Sequence, residues 1–340
     1  MDASYPENVI LRRELLPNLG MFLRPMGQKR WAVLADDSVT RLYAAAVLRA
    51  LGNVGLEGRC FSFPAGESSK TLETYTGLLS ALAMSGFTRG DGIIALGGGM
   101  TGDLAGFVAA TYLRGITLVH VPTTLLAMVD SCLGGKTGVD LPQGKNLVGA
   151  FYPAEKILID PQVLETLPGR EFASGVAEII KYGMIAAPAI LEELEHDAPD
   201  LMALIGQCLA IKADLTARDP RDEGVRRLLN FGHTYGHAYE AAGGFQKHTH
   251  GEAVAAGMAQ MLRWEMARGF QAAEAYQRLL PLLTRFGLMA QLPYTAPELK
   301  PFLARDKKTA GDTTTIAVVE TVGQARLTEI PTAQLWEDLL

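Results

Sequence analysis

Residues 91–99, DGIIALGGG, run an apolar strand straight into three glycines, and the helix-like DLAGFVAAT follows almost at once. A strand that ends in glycines at the mouth of a helix makes a tight turn. Its backbone N–H groups can then approach an anion at the helix N-terminus. Such a unit belongs to a parallel sheet with helices packed on its faces. The rest of the first half has the same grammar. WAVLAD (31–36), CFSF (60–63), ITLVHVPTT (116–124) and KILID (156–160) are short apolar runs, separated by helix-like segments such as YAAAVLRALG and LETYTGLLSALAMSG. This alternation predicts an α/β nucleotide-binding domain with a Rossmann-like parallel sheet.

The pattern changes near Pro168. From Glu171 to about Phe302 the chain is rich in Ala and Leu with helical period, so a mainly α-helical second domain is expected. The expected division is residues 1–165 and 166–340. Near the end, TTTIAVVE and ARLTEI flank TVGQ and read as a hairpin, whose place in the fold the sequence does not give.

A chain of 340 residues, 48% apolar, can bury more than one core. Its net charge of −6 argues against a nucleic-acid partner, and an anionic small substrate would need a local basic pocket. No stretch reaches the roughly 18 apolar residues of a membrane span, and the first residues lack a signal-peptide core. The three cysteines, Cys60, Cys132 and Cys208, are far apart and form no C-x-x-C, as expected of reduced thiols. A cytoplasmic protein with no membrane partner is expected.

Gly97, Gly99 and Gly102 satisfy G-x-G-x-x-G, but the ribose-binding acid usual about 20 residues later is absent. Asp103 sits inside the turn instead, and Asp36 and Asp37 follow the first apolar run. In the second half, Arg226, Asn230, His233 and His237 are spaced four, three and four apart, which predicts one stripe on one helix face. Leu228, Leu229, Phe231 and Tyr235 point elsewhere, which favours the wall of a polar site over a solvated surface. Four of the six histidines, His233, His237, His248 and His250, fall within 18 residues. Neutral imidazole is a common zinc ligand, and three protein ligands with one open position make a catalytic site. Glu178 lies among Val176, Ile179 and Ile180, so burial is expected and its carboxylate needs a partner. That partner is either a metal or Lys181, one turn on. His233 and His237 form an alternative i, i+4 ligand pair, without the H-E-x-x-H of zinc proteases. Spacing leaves these ligand sets open.

GGGMTGDLAGFVAATYLRG, VPTTLLAMVDSCLGGKTGVDLPQGKN, FASGVAEIIKYG, LNFGHTYGHAYE and HGEAVAAGM, in that order, resemble the 3-dehydroquinate synthase family. They cover residues 96–258, and PAGESSKT and RDKK extend the likeness outward. The resemblance implies a nucleotide-binding α/β domain, a helical metal-binding domain and a homodimer. It implies zinc, or cobalt, on Glu178, His233 and His250, with His237 left on the substrate side. It places NAD against Asp36, Glu67, Lys70, Gly97, Gly98, Gly99, Gly102, Asp103, Thr123, Thr124, Lys136, Lys145 and Thr166. It places substrate against Arg114, Lys145, Lys212, Arg226, Asn230 and one of Lys307 and Lys308. Lys136, Asn146, His237, Lys181 and Asp130 are the expected catalytic groups. Two departures stand out: the segment before Trp31 is short with no clear leading hairpin, and TAGDTTTIAVVETVG follows Lys308.

The implied substrate, 3-deoxy-D-arabino-heptulosonate 7-phosphate, carries a carboxylate and a phosphate. Arg forks onto carboxylates and Lys supplies point charge to phosphate, which suits an acidic chain with local cations. The implied course is hydride transfer to NAD, phosphate elimination, hydride return, ring opening and internal aldol closure. Sibling cyclases acting on glucose 6-phosphate or sedoheptulose 7-phosphate lack the carboxylate that Lys212, Arg226 and Asn230 suit; an amino-dehydroquinate synthase shares it. A metal- and NAD-dependent polyol dehydrogenase would accumulate NADH. A non-catalytic binding protein would not need the full set of polar residues.

Overall fold

The computed structural model describes residues 5–303, 309–310 and 313–337. The chain divides into two compact units, Met1–Leu167 and Pro168–Leu340.

The first unit is built on a six-stranded sheet. Its strands are β1 (Val9–Leu11), β2 (Arg30–Asp36), β3 (Glu57–Phe63), β4 (Gly92–Gly97), β5 (Thr117–Pro122) and β8 (Lys156–Ile159), in the order β1-β8-β5-β4-β2-β3. Every pairing is parallel. β4 and β5 are buried along their whole length, as central strands covered on both faces must be. Helices α1 (Ala45–Gly52), α2 (Leu72–Met84) and α3 (Gly99–Thr111) belong to this unit. After β2 the chain adds β3 on one side, then β4 on the other. The order therefore reverses between β2 and β4, and the crevice at the carboxyl ends of those strands is where open α/β sheets bind ligands. Asp36 ends β2 and Gly97 ends β4.

Two elements depart from the sequence reading. The short N-terminal segment supplies β1, which pairs with β8 at the sheet edge. β6 (Lys136–Leu141) and β7 (Gly144–Phe151) form an antiparallel hairpin that the sequence did not announce. The hairpin lies on α3, where the Thr137 side chain would stand 2.4 Å from any Cβ on Gly106.

The second unit is mainly helical: α4 (Gly169–Ile185), α5 (Pro188–Glu195), α6 (Leu201–Arg218), α7 (His233–Ala242), α8 (His250–Ala267), α9 (Ala273–Arg285) and α10 (Ala296–Leu303). The C-terminal hairpin is β10 (Thr313–Thr321) with β11 (Gln324–Pro331), edged by β9 (Thr309–Ala310). It belongs to this unit, and its Val319 N–H points at the buried Glu265 carboxyl group of α8, 3.3 Å from each oxygen.

The single stripe expected over Arg226 to His237 is not one helix. Residues Val225–Asn230 form a 3-10 turn, Gly232 adopts φ +77°, and α7 starts at His233. The break has a steric cause. A Cβ on Gly232 would lie 2.5 Å from Met258 Cγ, and one on Gly257 would lie 2.1 Å from the Gly232 carbonyl oxygen. The α7 entry and α8 touch backbone to backbone, so the chain must turn there with glycine on both sides.

Candidate active site

Three helices converge on one point in the second unit. Glu178 is fully buried on α4, and its Oε1 lies 3.5 Å from His233 Nε2 on α7 and 3.3 Å from His250 Nε2 on α8. One ligand atom from each of Glu178, His233 and His250 lies within 4.8 Å of the others. His237 stands close by, its ring centroid 5.6 Å from that of His233, but it is not a member of that group.

Local rules place each of the three. Thr249 and Glu252 make a reciprocal capping box, which starts α8 at His250. Arg170 forks onto Glu252, with 2.7 Å to each carboxylate oxygen. The Gly251 N–H donates to Ser174 Oγ at 2.9 Å, and a Cβ on Gly251 would strike Ser174 Cα at 2.3 Å. The start of α8 is thereby pressed onto α4, one turn before Glu178. Lys181 pairs with the other Glu178 oxygen, Oε2. The sequence offered Lys181 and a metal as alternatives, and the geometry accommodates both on separate oxygens.

The imidazoles are held in complementary ways. His233 Nδ1 lies 3.1 Å from the Phe231 carbonyl oxygen. A carbonyl can only accept, so Nδ1 carries the proton and the Nε2 lone pair is left for a cation held between it and Glu178. Burial lowers the His233 pKa well below its usual value, against the attraction of Glu178. For His250, burial alone would lower the pKa, but Glu240 and Glu178 outweigh it and raise the pKa to about 10. Glu240, a buried acid on α7 with Oε1 3.6 Å from His250 Nδ1, was missed in the sequence. Its signal was positional, since 233, 237 and 240 share one helical face.

The expected substrate cations of this unit are interior groups. Lys181, Lys212 and Arg226 are buried and Asn230 is half-buried. Arg226 donates to the Pro220 carbonyl oxygen at 3.2 Å. Lys307 and Lys308 lie outside the described residues.

In the first unit, the glycine turn and its neighbours assemble around the β2–β4 switch point. The Thr123 N–H donates to the Gly97 carbonyl at 2.9 Å, and Thr124 Cγ2 would stand 3.0 Å from any Cβ on Gly98. α3 begins without a side-chain cap, leaving its first N–H groups facing the turn. Asp36 caps the turn after β2 by accepting from Ser38 and Val39, and Thr101 reaches its second oxygen at 3.4 Å. Behind Gly102 sits His120, whose pKa burial pulls down to about 4, so a neutral imidazole packs there.

A second cluster joins this turn to the hairpin. Lys70 Nζ donates to Asp103 at 2.6 Å and to Asn146 at 2.5 Å, and Lys145 lies 3.5 Å from Glu67. Asp140, not anticipated from sequence, accepts from the Asn146 N–H at 2.7 Å and donates its own N–H to the Lys70 carbonyl at 2.8 Å. Burial raises its pKa. Asn146 takes φ +53°, a conformation that Asn tolerates better than most residues. Asp130 is half-buried after β5, and Lys136 is exposed at the start of β6. Thr166 hydrogen-bonds Tyr43 beyond β8. Arg114 is not gathered in. It is exposed, at φ +69°, just before β5 begins, whereas Thr123 and Thr124 follow the end of that strand. Roughly 20 Å of strand separates them.

The chain matches two family profiles, 3-dehydroquinate synthase N-terminal over residues 60–174 and 3-dehydroquinate synthase C-terminal over residues 175–309. It is similar to a 3-dehydroquinate synthase of Streptococcus suis, 40% identical across 98% of this chain and 97% of the relative. Among solved structures, it is similar to a 2-epi-5-epi-valiolone synthase from Streptomyces hygroscopicus with NAD+ and Zn2+ bound. That likeness has 26% identity and a TM-score of 0.88, over 98% of this chain and 94% of that one. A 2-deoxy-scyllo-inosose synthase complexed with carbaglucose-6-phosphate, NAD+ and Co2+ is also 26% identical. Its TM-score is 0.86, over 97% of this chain and 95% of that one. Among the described residues, no helix is long and apolar enough to cross a membrane.

Proposed function

The chain belongs to the 3-dehydroquinate synthase family, and from that membership we propose that its Glu178, His233 and His250 serve the closure of 3-deoxy-D-arabino-heptulosonate 7-phosphate to 3-dehydroquinate and phosphate. This is a phosphorus–oxygen lyase reaction of the shikimate pathway, with NAD reduced and reoxidised in each turnover. One observation carries the assignment: two imidazole Nε2 atoms and a buried carboxylate oxygen, from three different helices, meet at one point that stays partly open at His250. Three donors of that chemistry fit a divalent cation with one position open. When bound, such a cation lowers the pKa of a coordinated substrate hydroxyl, and NAD takes up and returns one hydride.

The chain's own groups do the rest. Lys181 neutralises Glu178 from the side away from the imidazoles. Lys212, Arg226 and Asn230 are assigned to the substrate carboxylate, where buried cations keep their strength in a dry interior. Lys136, Lys145 and Asn146 are assigned to the leaving phosphate, and His237, with Lys136 and Asp130, to proton transfer. One of Lys307 and Lys308 completes the substrate contacts. The uncapped start of α3 with Gly97, Gly98, Gly99 and Gly102 is assigned to the NAD pyrophosphate. Asp36, Glu67, Lys70, Asp103, Thr123, Thr124 and Thr166 are assigned to the rest of the cofactor. Holding one flexible sugar through several steps is a positioning task.

A homodimer in the cytoplasm is part of this proposal. A second copy would also give Arg114 a role, since it stands at the amino end of β5, away from the glycine turn at the carboxyl end of β4.

The sibling cyclases are the second reading, favoured by the likeness to synthases of other cyclitols. Purified protein is incubated with the heptulosonate phosphate, catalytic NAD and zinc. Phosphate and dehydroquinate should form in equal amounts with no net NADH. Turnover of glucose 6-phosphate or sedoheptulose 7-phosphate alone would assign a sibling activity, and NADH rising in step with product would assign a dehydrogenase.

A further inference from the structure

Both imidazoles at the triad turn Nε2 toward Glu178, at 3.5 Å for His233 and 3.3 Å for His250. An imidazole that offers Nε2 as a ligand keeps its proton on Nδ1, and a neighbour that receives that proton fixes the ring. For His233 the neighbour is a neutral backbone carbonyl, that of Phe231 at 3.1 Å. For His250 the group facing Nδ1 is a carboxylate, with Glu240 Oε1 at 3.6 Å.

Glu240 is only 4% exposed, and it sits seven residues after His233 and three after His237, on the inward face of α7. A carboxylate is costly to bury, so its aim at the outer nitrogen of one imidazole needs a reason beyond packing. Lys181 already neutralises Glu178. Glu240 sets a second carboxylate against the opposite nitrogen of His250.

We propose that Glu240 is the positioning residue of the metal centre. It holds His250 in the Nδ1–H tautomer with Nε2 turned toward Glu178, and it strengthens the site's grip on a divalent cation through its charge. This role rests on the metal site proposed above. The two rings, each opening a helix, are held differently: His233 is locked by its own chain two residues back, whereas His250 faces a side chain from α7.

The test is zinc affinity, measured by competition with a chromophoric chelator on the parent, Glu240→Gln, Glu240→Asp and Glu178→Gln proteins. Glu240→Gln keeps the shape and a hydrogen-bond acceptor but removes the charge. It should weaken zinc binding on the order of 10- to 100-fold, with Glu240→Asp between it and the parent and circular dichroism unchanged. Should Glu178→Gln lose zinc while Glu240→Gln stays within about twofold of the parent, the role of Glu240 is refuted and the metal site stands. Should Glu178→Gln also bind zinc normally, the metal site itself falls. Nitrogen NMR of the zinc-loaded parent needs no variant: His250 should show a protonated Nδ1 and a metal-bound Nε2, and the reverse arrangement would overturn the proposal.

Discussion

Lys70 Nζ lies 2.6 Å from Asp103 Oδ2, a nearly buried cation held against the second turn of α3. Burial alone would lower the Lys70 pKa, but Asp103 and Glu67 outweigh it and the pKa is raised. Lys70→Met would remove the cation that faces Asp103, whose side chain is 22% exposed. Allowing for that exposure, the loss of stability should be about 2 kcal/mol by urea unfolding. NAD affinity should fall with it, because Lys70 also holds Asn146 and so ties the hairpin to the glycine turn. Unchanged stability and unchanged NAD binding would show the pair to be incidental.

The close approach of Gly257 to Gly232 gives a second expectation. A methyl at position 257 would sit 2.1 Å from the Gly232 carbonyl oxygen, which is backbone and cannot swing away. Gly257→Ala should cost about 3 kcal/mol or more, as overpacking at rigid contacts does. It should also weaken zinc binding, since the shift would part His233 from His250. Gly269→Ala, at φ +79° with nothing within 4 Å, serves as a control for backbone strain without a clash.

These contacts mark where the sequence was legible. Central strands such as GIIALG and TLVHVP are apolar throughout, because both faces are buried, and they can be read directly. The hairpin of β6 and β7 could not be read. Its GKNLVGAF strand is mostly exposed or half-exposed, so it carries neither a buried run nor a clean alternation. The break at Gly232 was hidden for another reason. Spacings of four, three and four fit a helix, and only the tertiary contact with α8 forbids it there. Glu178 and the histidines stood out because polar groups in an apolar context are rare. Glu240 and Asp140 did not, since an acid near a helix end or a turn usually faces water.

Glu265 supplies a pH dependence away from the site. Burial raises its pKa from 4.5 to about 8, against the Val319 N–H and Arg326. In the folded chain it holds its proton up to about pH 8, while the unfolded chain releases it near 4.5. Between those values the folded state binds more protons, so stability falls as pH rises. The contribution is at most about 1.4 kcal/mol per pH unit. Glu265→Gln should remove that slope, measured as Tm between pH 5 and 8 for both proteins. Parallel curves would contradict the assignment.

Lys136, exposed at the start of β6, is assigned to chemistry rather than to the fold. Lys136→Ala should lower kcat by about 100-fold or more, the usual scale for a proton-transfer group. The NAD dissociation constant should change far less. Near-normal turnover would remove Lys136 from the mechanism.

The central claim is that Glu178, His233 and His250 bind one divalent cation per chain. X-ray absorption on the protein loaded with one equivalent of zinc tests it most directly. The spectrum should show two imidazoles and oxygen ligands without sulfur, and the imidazole signal should fall to one in His250→Ala. A sulfur shell, or an imidazole count indifferent to His250, would contradict the assignment.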